Sequence, residues 1–257
     1  IMAVFSASEG YKELQKVSDL KTKSGASSSQ FKTLIDKSIL EEHFQEEHRL
    51  LIKQKQNESS FKILSEPQQL AFDEINDQFT EKNVVLFEGV TSSGKTEVYI
   101  KLIEAEINKG KQVLYLLPEI SLTSQIVNRL AARFGNQVAV YHSKFSIHER
   151  TEVWQKVLSA SPEAKVIVGA RSAVLLPFKN LGLVLIDEEH EMSYKQFDPA
   201  PRYQARDSAI YLASIMWSNV LLGSATPSIE TAVNVRAAKY GWVKLTQRYG
   251  GVSLPNI

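Results

Sequence analysis

The stretch Gly89-Val90-Thr91-Ser92-Ser93-Gly94-Lys95-Thr96 constrains this chain more than any other. It fits G-x-x-x-x-G-K-[ST], in which glycines let backbone N–H groups curl around phosphate oxygens while the next helix points its positive end at them. Such a loop needs a strand before it and a helix after it, and the sequence predicts both. Val84-Val85-Leu86-Phe87 is a β-branched and aromatic run that reads as a buried strand. Val98, Ile100, Leu102, Ile103 and Ile107 give residues 97–109 one apolar helical face. In this setting Gly89, Thr91, Ser92, Ser93 and Gly94 form the cradle and Glu97 opens the helix. Lys95 adds a point charge near the β- and γ-phosphates, and the Thr96 hydroxyl is the expected Mg²⁺ ligand. The alternative is a chance Gly/Ser-rich turn before a helix.

The rest of the chain from Phe61 alternates regularly. Strands are predicted at 84–88, 112–117, 137–141, 165–169, 183–187 and 219–223, and helices at 97–109, 122–134, 147–159, 204–214 and 227–239. That alternation, with strands apolar along their whole length, predicts an α/β fold with a mostly parallel sheet between two layers of helices. Ligands of such sheets bind beyond the carboxyl ends of the strands. Leu183-Val184-Leu185-Ile186 delivers Asp187-Glu188-Glu189-His190 to that edge. Asp187 is the expected partner of Thr96 on Mg²⁺, and Glu188 the group that orients and deprotonates an attacking water. His190 is placed to sense bound nucleotide, together with Ser224 and Thr226 of Gly223-Ser224-Ala225-Thr226-Pro227. Taken alone, the acidic run also fits a helix N-terminus, and the Ser/Thr turn fits ordinary capping.

Weaker features fit the same edge. Leu117 to Thr123 and Gly169-Ala170-Arg171-Ser172-Ala173 each close a strand with small or hydroxylated residues, and Arg171 is the expected contact to a nucleic-acid strand. The Gln68 amide, about twenty residues before the loop, could read both edges of an adenine. Residues 192–207 interleave Tyr194, Phe197 and Tyr203 with Lys195, Arg202 and Arg206, the chemistry of base stacking and phosphate contact. Aromatics that plug the adjacent core are the rival reading of that loop.

The first 57 residues differ in texture. Tyr11 to Leu20 reads as a short helix, Lys21 to Ser27 as a polar turn, and Ser28 or Ser29 as the cap of a second helix with Phe31, Leu34 and Ile35 inward. This is a winged-helix-like pattern in which Ser27, Ser28, Ser29, Gln30 and Lys32 would meet DNA, or else a helical pair without that contact. Residues 53–60 read as a linker.

Composition excludes several classes. The net charge is only +1, so any nucleic-acid binding must use local patches. There is no cysteine, hence no disulfide and no cysteine-ligated zinc in these 257 residues. No apolar run approaches the ~20 residues of a membrane span, so no membrane partner and a cytoplasmic location are expected. The two ends read as cuts within something larger.

Taken in order, Gly89 to Tyr99, Leu117-Pro118-Glu119-Ile120, Tyr141-His142-Ser143, Asp187 to His190, Ser193-Tyr194-Lys195-Gln196, Pro201-Arg202-Tyr203 and Gly223 to Ser228 resemble the PriA family of superfamily 2 replication-restart helicases. The resemblance implies a RecA-like P-loop NTPase lobe over 58–248. A partial winged-helix DNA-binding domain and linker would precede it at 1–57, and a connection to a second lobe would begin at 249–257. It further implies ATP and Mg²⁺ as cofactors, 3′-to-5′ unwinding, single-stranded and forked DNA as partners, and contacts with primosome and single-strand-binding proteins. Zinc is implied only for cysteines outside this chain. Two departures matter. The family usually has glycine where Ser92 stands, and an arginine finger worth ~10³ or more in rate lies in the absent second lobe. The piece alone is therefore expected to bind Mg·ATP weakly and turn it over poorly. Rival readings are another superfamily 2 translocase and a nucleotide-independent DNA- or primosome-binding module.

Overall fold

The computed structural model describes residues 22–37, 39–40, 63–119, 121 and 124–248. The chain divides into two compact units, residues 1–48 and 49–257. The boundary expected at 57/58, the helix at Tyr11–Leu20, the 53–60 linker and residues 249–257 all lie outside the described residues.

In the first unit the described helix is α1 (Ser28–Asp36). Its cap is Ser27, one residue earlier than expected, because Gln30 completes a reciprocal box. The Ser27 side chain accepts from Gln30 N, and Gln30 Oε1 accepts from Ser27 N at 2.8 Å. Phe31 is buried.

The second unit runs α2 (Glu66–Glu81), β1 (Val84–Gly89), α3 (Lys95–Asn108), β2 (Gln112–Leu116), α4 (Ser124–Phe134), β3 (Val138–Tyr141), α5 (Ile147–Leu158), β4 (Val166–Gly169), β5 (Leu181–Ile186), α6 (Ala205–Met216), β6 (Asn219–Ser224), α7 (Ile229–Arg236) and β7 (Gly241–Leu245). The strands form one seven-stranded sheet in the order β3-β4-β2-β5-β6-β1-β7. Every pairing in it is parallel. Because neighbouring side chains on a strand point to opposite faces, an apolar strand feeds two cores. Val85 and Phe87 join Ala71, Ile75, Val98, Leu102 and Leu130 on one face. Val84 and Leu86 join Val153, Val157, Ala205, Ala209 and Ala213 on the other. Alanines at four-residue spacing let α6 lie close against β5 and β6.

Three differences from expectation have local causes. Helix α3 starts at Lys95 rather than Glu97, since Gly94 itself is its N-cap, in the left-handed region at φ 84°. Helix α7 is shorter than 227–239, because Ser228 caps it by accepting from Thr231 N, and Ala238 turns left-handed beyond it. Strand β7 was not foreseen. Its Gly241-Trp242-Val243-Lys244-Leu245 alternates buried and exposed, the pattern of an edge strand rather than of a strand covered on both faces. Val90 N donates to Leu245 O at 3.2 Å, so the end of this strand holds the start of the phosphate loop. Trp242 Nε1 donates to Glu88 Oε2 at 2.8 Å, and Lys244 Nζ lies 3.9 Å over the Trp242 ring.

Candidate active site

The strand order puts β5, β6 and β1 side by side, so the loops that follow them share one edge. Those loops carry Asp187 to His190, Ser224 to Thr226 and the Gly89–Thr96 stretch. Within the last, Ser92 adopts φ 64°. A serine there is strained by roughly 1–2 kcal/mol, which explains why glycine suits the position. The Ser93 hydroxyl is buried and makes no hydrogen bond among the described residues. Lys95 Nζ donates to Gly89 O at 2.8 Å. A Cβ on Gly89 would come within 2.8 Å of Lys95 Cγ and 3.0 Å of Ser93 Oγ, so any side chain at this rim would have to displace Lys95 and Ser93. Glu97, in the first turn of α3, pairs with Arg129. An unsatisfied hydroxyl, a lysine folded across the loop and an α-helix N-terminus fit a polyphosphate. The oxygen donors Thr96 and Asp187 fit a hard divalent cation.

Gln68 stands elsewhere than expected. It is buried at the third position of α2, where its Oε1 accepts from Ser65 N at 3.0 Å. Its Nε2 donates to Ser93 O at 3.2 Å and to Gly94 O at 3.4 Å. With both ends of the amide engaged, Gln68 braces the phosphate loop instead of offering its edges to a base. The capping pattern Ser65-x-x-Gln68 was the signal that would have found this.

Asp187 is set in a cage of tyrosines. Tyr99 Oη donates to its Oδ1 at 3.0 Å, Tyr115 Oη to its Oδ2 at 3.4 Å, and Tyr194 Oη to its carbonyl at 2.7 Å. Burial, with Asp187 beside them, pushes all three phenols well above the ordinary tyrosine range, so they remain donors. Burial and the adjacent Glu188 push the Asp187 carboxyl up, against the Tyr99 hydroxyl, Lys95 and Glu188 N, which pull it down. A carboxyl whose pKa is raised on folding favours the folded state most when protonated, and that contribution is lost as pH rises through the folded value. Asp187→Asn is therefore expected to unfold at a higher temperature than the unaltered chain at pH 7. The gap should narrow at a second, acidic pH low enough for the carboxyl itself to take up a proton. Thermal unfolding at both pH values checks it, and a variant less stable at pH 7 would refute it.

The remaining acidic residues divide. Glu188 is half-buried at φ 47°, and its Oε2 lies 3.8 Å from His190 Nδ1. His190 Nδ1 is 2.9 Å from Ser224 Oγ and its Nε2 is 3.4 Å from Thr226 Oγ1, so the expected trio does come together. Glu189 is fully buried and accepts from Ser228 N at 2.7 Å, Ser228 Oγ at 3.0 Å, Thr231 Oγ1 at 2.9 Å and Arg206 Nη1 at 2.9 Å.

The 192–207 loop is only partly the surface that its composition predicts. Phe197 and Arg202 are exposed, and Lys195 and Tyr203 half-buried. Tyr194 and Arg206 correct the expectation of DNA contact. Tyr194 is fully buried under Asp187, and the Arg206 guanidinium is buried against Glu189. Arg171 Nη1 donates to Lys195 O at 2.9 Å and so ties this loop to the turn after β4. Lys195 and Gln204 bridge the base of the loop in antiparallel fashion. The composition of the loop could not separate inward from outward aromatics. Tyr115, a lone hydroxyl in an otherwise apolar buried run, and Tyr99, on the apolar face of α3, were missed although the first oddity was visible.

Fold and site define a P-loop α/β lobe of the kind found in nucleotide-driven helicases. Residues 65–235 match the DEAD/DEAH box helicase family, and the chain belongs to it. It is 42% identical over 242 residues to replication restart protein PriA of Bacillus subtilis (strain 168), covering 93% of this chain and 30% of that protein. Against replication restart protein PriA of Rickettsia felis it is 45% identical over 213 residues, covering 82% and 32%. The chain thus spans about a third of the length of these relatives. Among solved structures, RecG bound to a three-way DNA junction gives a TM-score of 0.52 at 21% identity, covering 76% of this chain and 25% of that one. A hypothetical ATP-dependent RNA helicase from Sulfolobus tokodaii gives 0.51 at 20%, covering 72% and 54%. These two likenesses show the RecA-like fold. Family membership implies ATP as the nucleotide. Among the described residues no helix is long and apolar enough to cross a membrane.

Proposed function

We propose that the chain is the ATP-binding first lobe of a DNA helicase that restarts stalled replication forks, unwinding 3′ to 5′ in the cytoplasm. The observation that carries this is the adjacency of β5, β6 and β1, which brings phosphate loop, acidic turn and Ser-Ala-Thr turn to one edge. Gly89, Thr91, Ser92, Ser93 and Gly94 cradle the phosphates, with Gln68 as brace and Glu97 locking the first turn of α3. Lys95 leaves Gly89 O for the β- and γ-phosphates, and Thr96 and Asp187 hold Mg²⁺. When bound, that ion neutralises charge developing on the phosphate oxygens. Glu188 orients the attacking water and takes its proton. His190, Ser224 and Thr226 pass the state of the site to β6. Phe197, Lys195, Arg202 and Tyr203, with Arg171 behind them, meet single-stranded DNA.

By likeness to the PriA proteins, the parent acts on forked DNA with primosome and single-strand-binding proteins. Residues 1–57 are then the latter part of a winged-helix domain, 58–248 the motor lobe, and 249–257 the start of the connection to a second lobe. Zinc, with no cysteine here to bind it, belongs to other parts of that parent. The test is titration of a fluorescent ATP analogue with Mg²⁺ into this chain beside Lys95→Ala, following turnover with and without single-stranded DNA. Binding weakened at least tenfold in the variant, with little turnover in either, is expected. Equal binding by both proteins refutes the site.

A further inference from the structure

Three tyrosine hydroxyls converge on Asp187, and the roles above use none of them. Of the two that reach the carboxylate rather than the main chain, Tyr99 makes the shorter contact. It is 1% exposed, and its neighbours Val98, Leu102 and Phe87 are as apolar as a buried position requires. Phenylalanine would fill that space without burying a hydroxyl, so the oxygen calls for a reason beyond packing. Edge-on contacts fix the ring, to Phe87 at 6.0 Å and 76° and to Tyr115 at 5.7 Å and 72°. Tyr99 also stands three residues after Thr96, on the helix that grows out of the phosphate loop. On the far side the hydroxyl dictates sequence, since a Cβ at Gly223 would lie 1.8 Å from Tyr99 Oη and 3.3 Å from Asp187 Oδ1. One hydroxyl thus links the helix that follows the phosphate loop to the acidic turn and to the end of β6.

We propose that Tyr99 is a positioning residue for the metal ligand Asp187, its hydroxyl holding the carboxylate in the single orientation that the ion requires. This rests on the reading of Thr96 and Asp187 as the magnesium-holding pair. A carboxylate already fixed by a donor on a locked ring gives up little freedom when it takes on a cation, and groups behind metal ligands typically contribute 10–100-fold in affinity.

The experiment titrates magnesium into the chain with a fluorescent ATP analogue and reads the magnesium concentration at half-maximal tightening, alongside nucleotide affinity in EDTA. Tyr99→Phe is expected to raise that magnesium midpoint about tenfold while leaving the EDTA affinity unchanged. Tyr115→Phe, losing a 3.4 Å contact, should shift it less. In an Asp187→Asn background Tyr99→Phe should add nothing, because the hydroxyl acts through the carboxylate. Should Tyr99→Phe fail to fold, Gly223→Ala, which displaces the same hydroxyl from the β6 side, must raise the midpoint instead. An unmoved midpoint, an equal loss in EDTA, or a full second effect beside Asp187→Asn overturns the proposal. If the unaltered chain binds nucleotide in a Lys95-dependent way and Tyr99→Phe behaves like it, this inference alone fails. No nucleotide binding by the unaltered chain overturns the site and this inference together.

Discussion

Glu189→Ala is expected to destabilise the 49–257 unit by about 3–5 kcal/mol, measured by chemical denaturation. Glu189 is 0% exposed and accepts from four donors, one of them the Arg206 guanidinium. Alanine removes the carboxylate and strands that cation, which among the described residues keeps Asp207 at 3.0 Å and Ser228 Oγ at 2.8 Å. Ser228, the cap of α7, loses its anchor at the same time. Glu189→Gln keeps the shape and part of the bonding, and a smaller loss of about 1–3 kcal/mol is expected for it. A loss below about 1 kcal/mol for alanine would mean that Arg206 escapes to water and that the cluster does not hold α6 to α7.

Glu188→Gln should act on rate and leave the fold alone. In the longer helicase proposed above, DNA-stimulated ATP turnover is expected to fall by about 10²–10⁴, the usual worth of a positioned general base, with Mg·ATP affinity preserved. Among the described residues the Glu188 side chain makes no hydrogen bond of the kind that anchors Glu189. Its backbone at φ 47° turns it out of the strand line towards the shared edge, 3.8 Å from His190. Steady-state kinetics beside equilibrium binding separates the two effects. Turnover within threefold of the unaltered enzyme would remove Glu188 from the chemistry.

The parts of the molecule most legible in the sequence are those fixed by short-range pattern. Val84 to Lys109 announces strand, loop and helix because a motif and two periodicities agree there. The six foreseen strands are mostly apolar runs, whereas β7 alternates and so escaped notice. Strand order is set by which helix packs where, and no local pattern encodes it. Without that order, the meeting of Tyr99 from α3, Tyr115 from β2 and Tyr194 from a turn after β5 on one carboxylate could not be foreseen. The same gap misled the reading of 192–207. Aromatic and basic residues look alike in a list, but Tyr194 and Arg206 face inward at the two ends of the loop, leaving Phe197 and Arg202 outside.

Strand β7 has a mechanical meaning. Its last residue, Leu245, accepts from Val90, and the whole strand lies parallel to β1, from Gly241 beside Val85 to Leu245 beside Gly89. Tension on the residues beyond Leu245 therefore runs along the strand and shears its ladder, so that several bonds share the load instead of unzipping singly. The Trp242–Glu88 bond stiffens that joint. Because the Leu245–Val90 bond closes that ladder at the end nearest the following residues, Val90, the second residue of the phosphate loop, is among the first to feel such a pull.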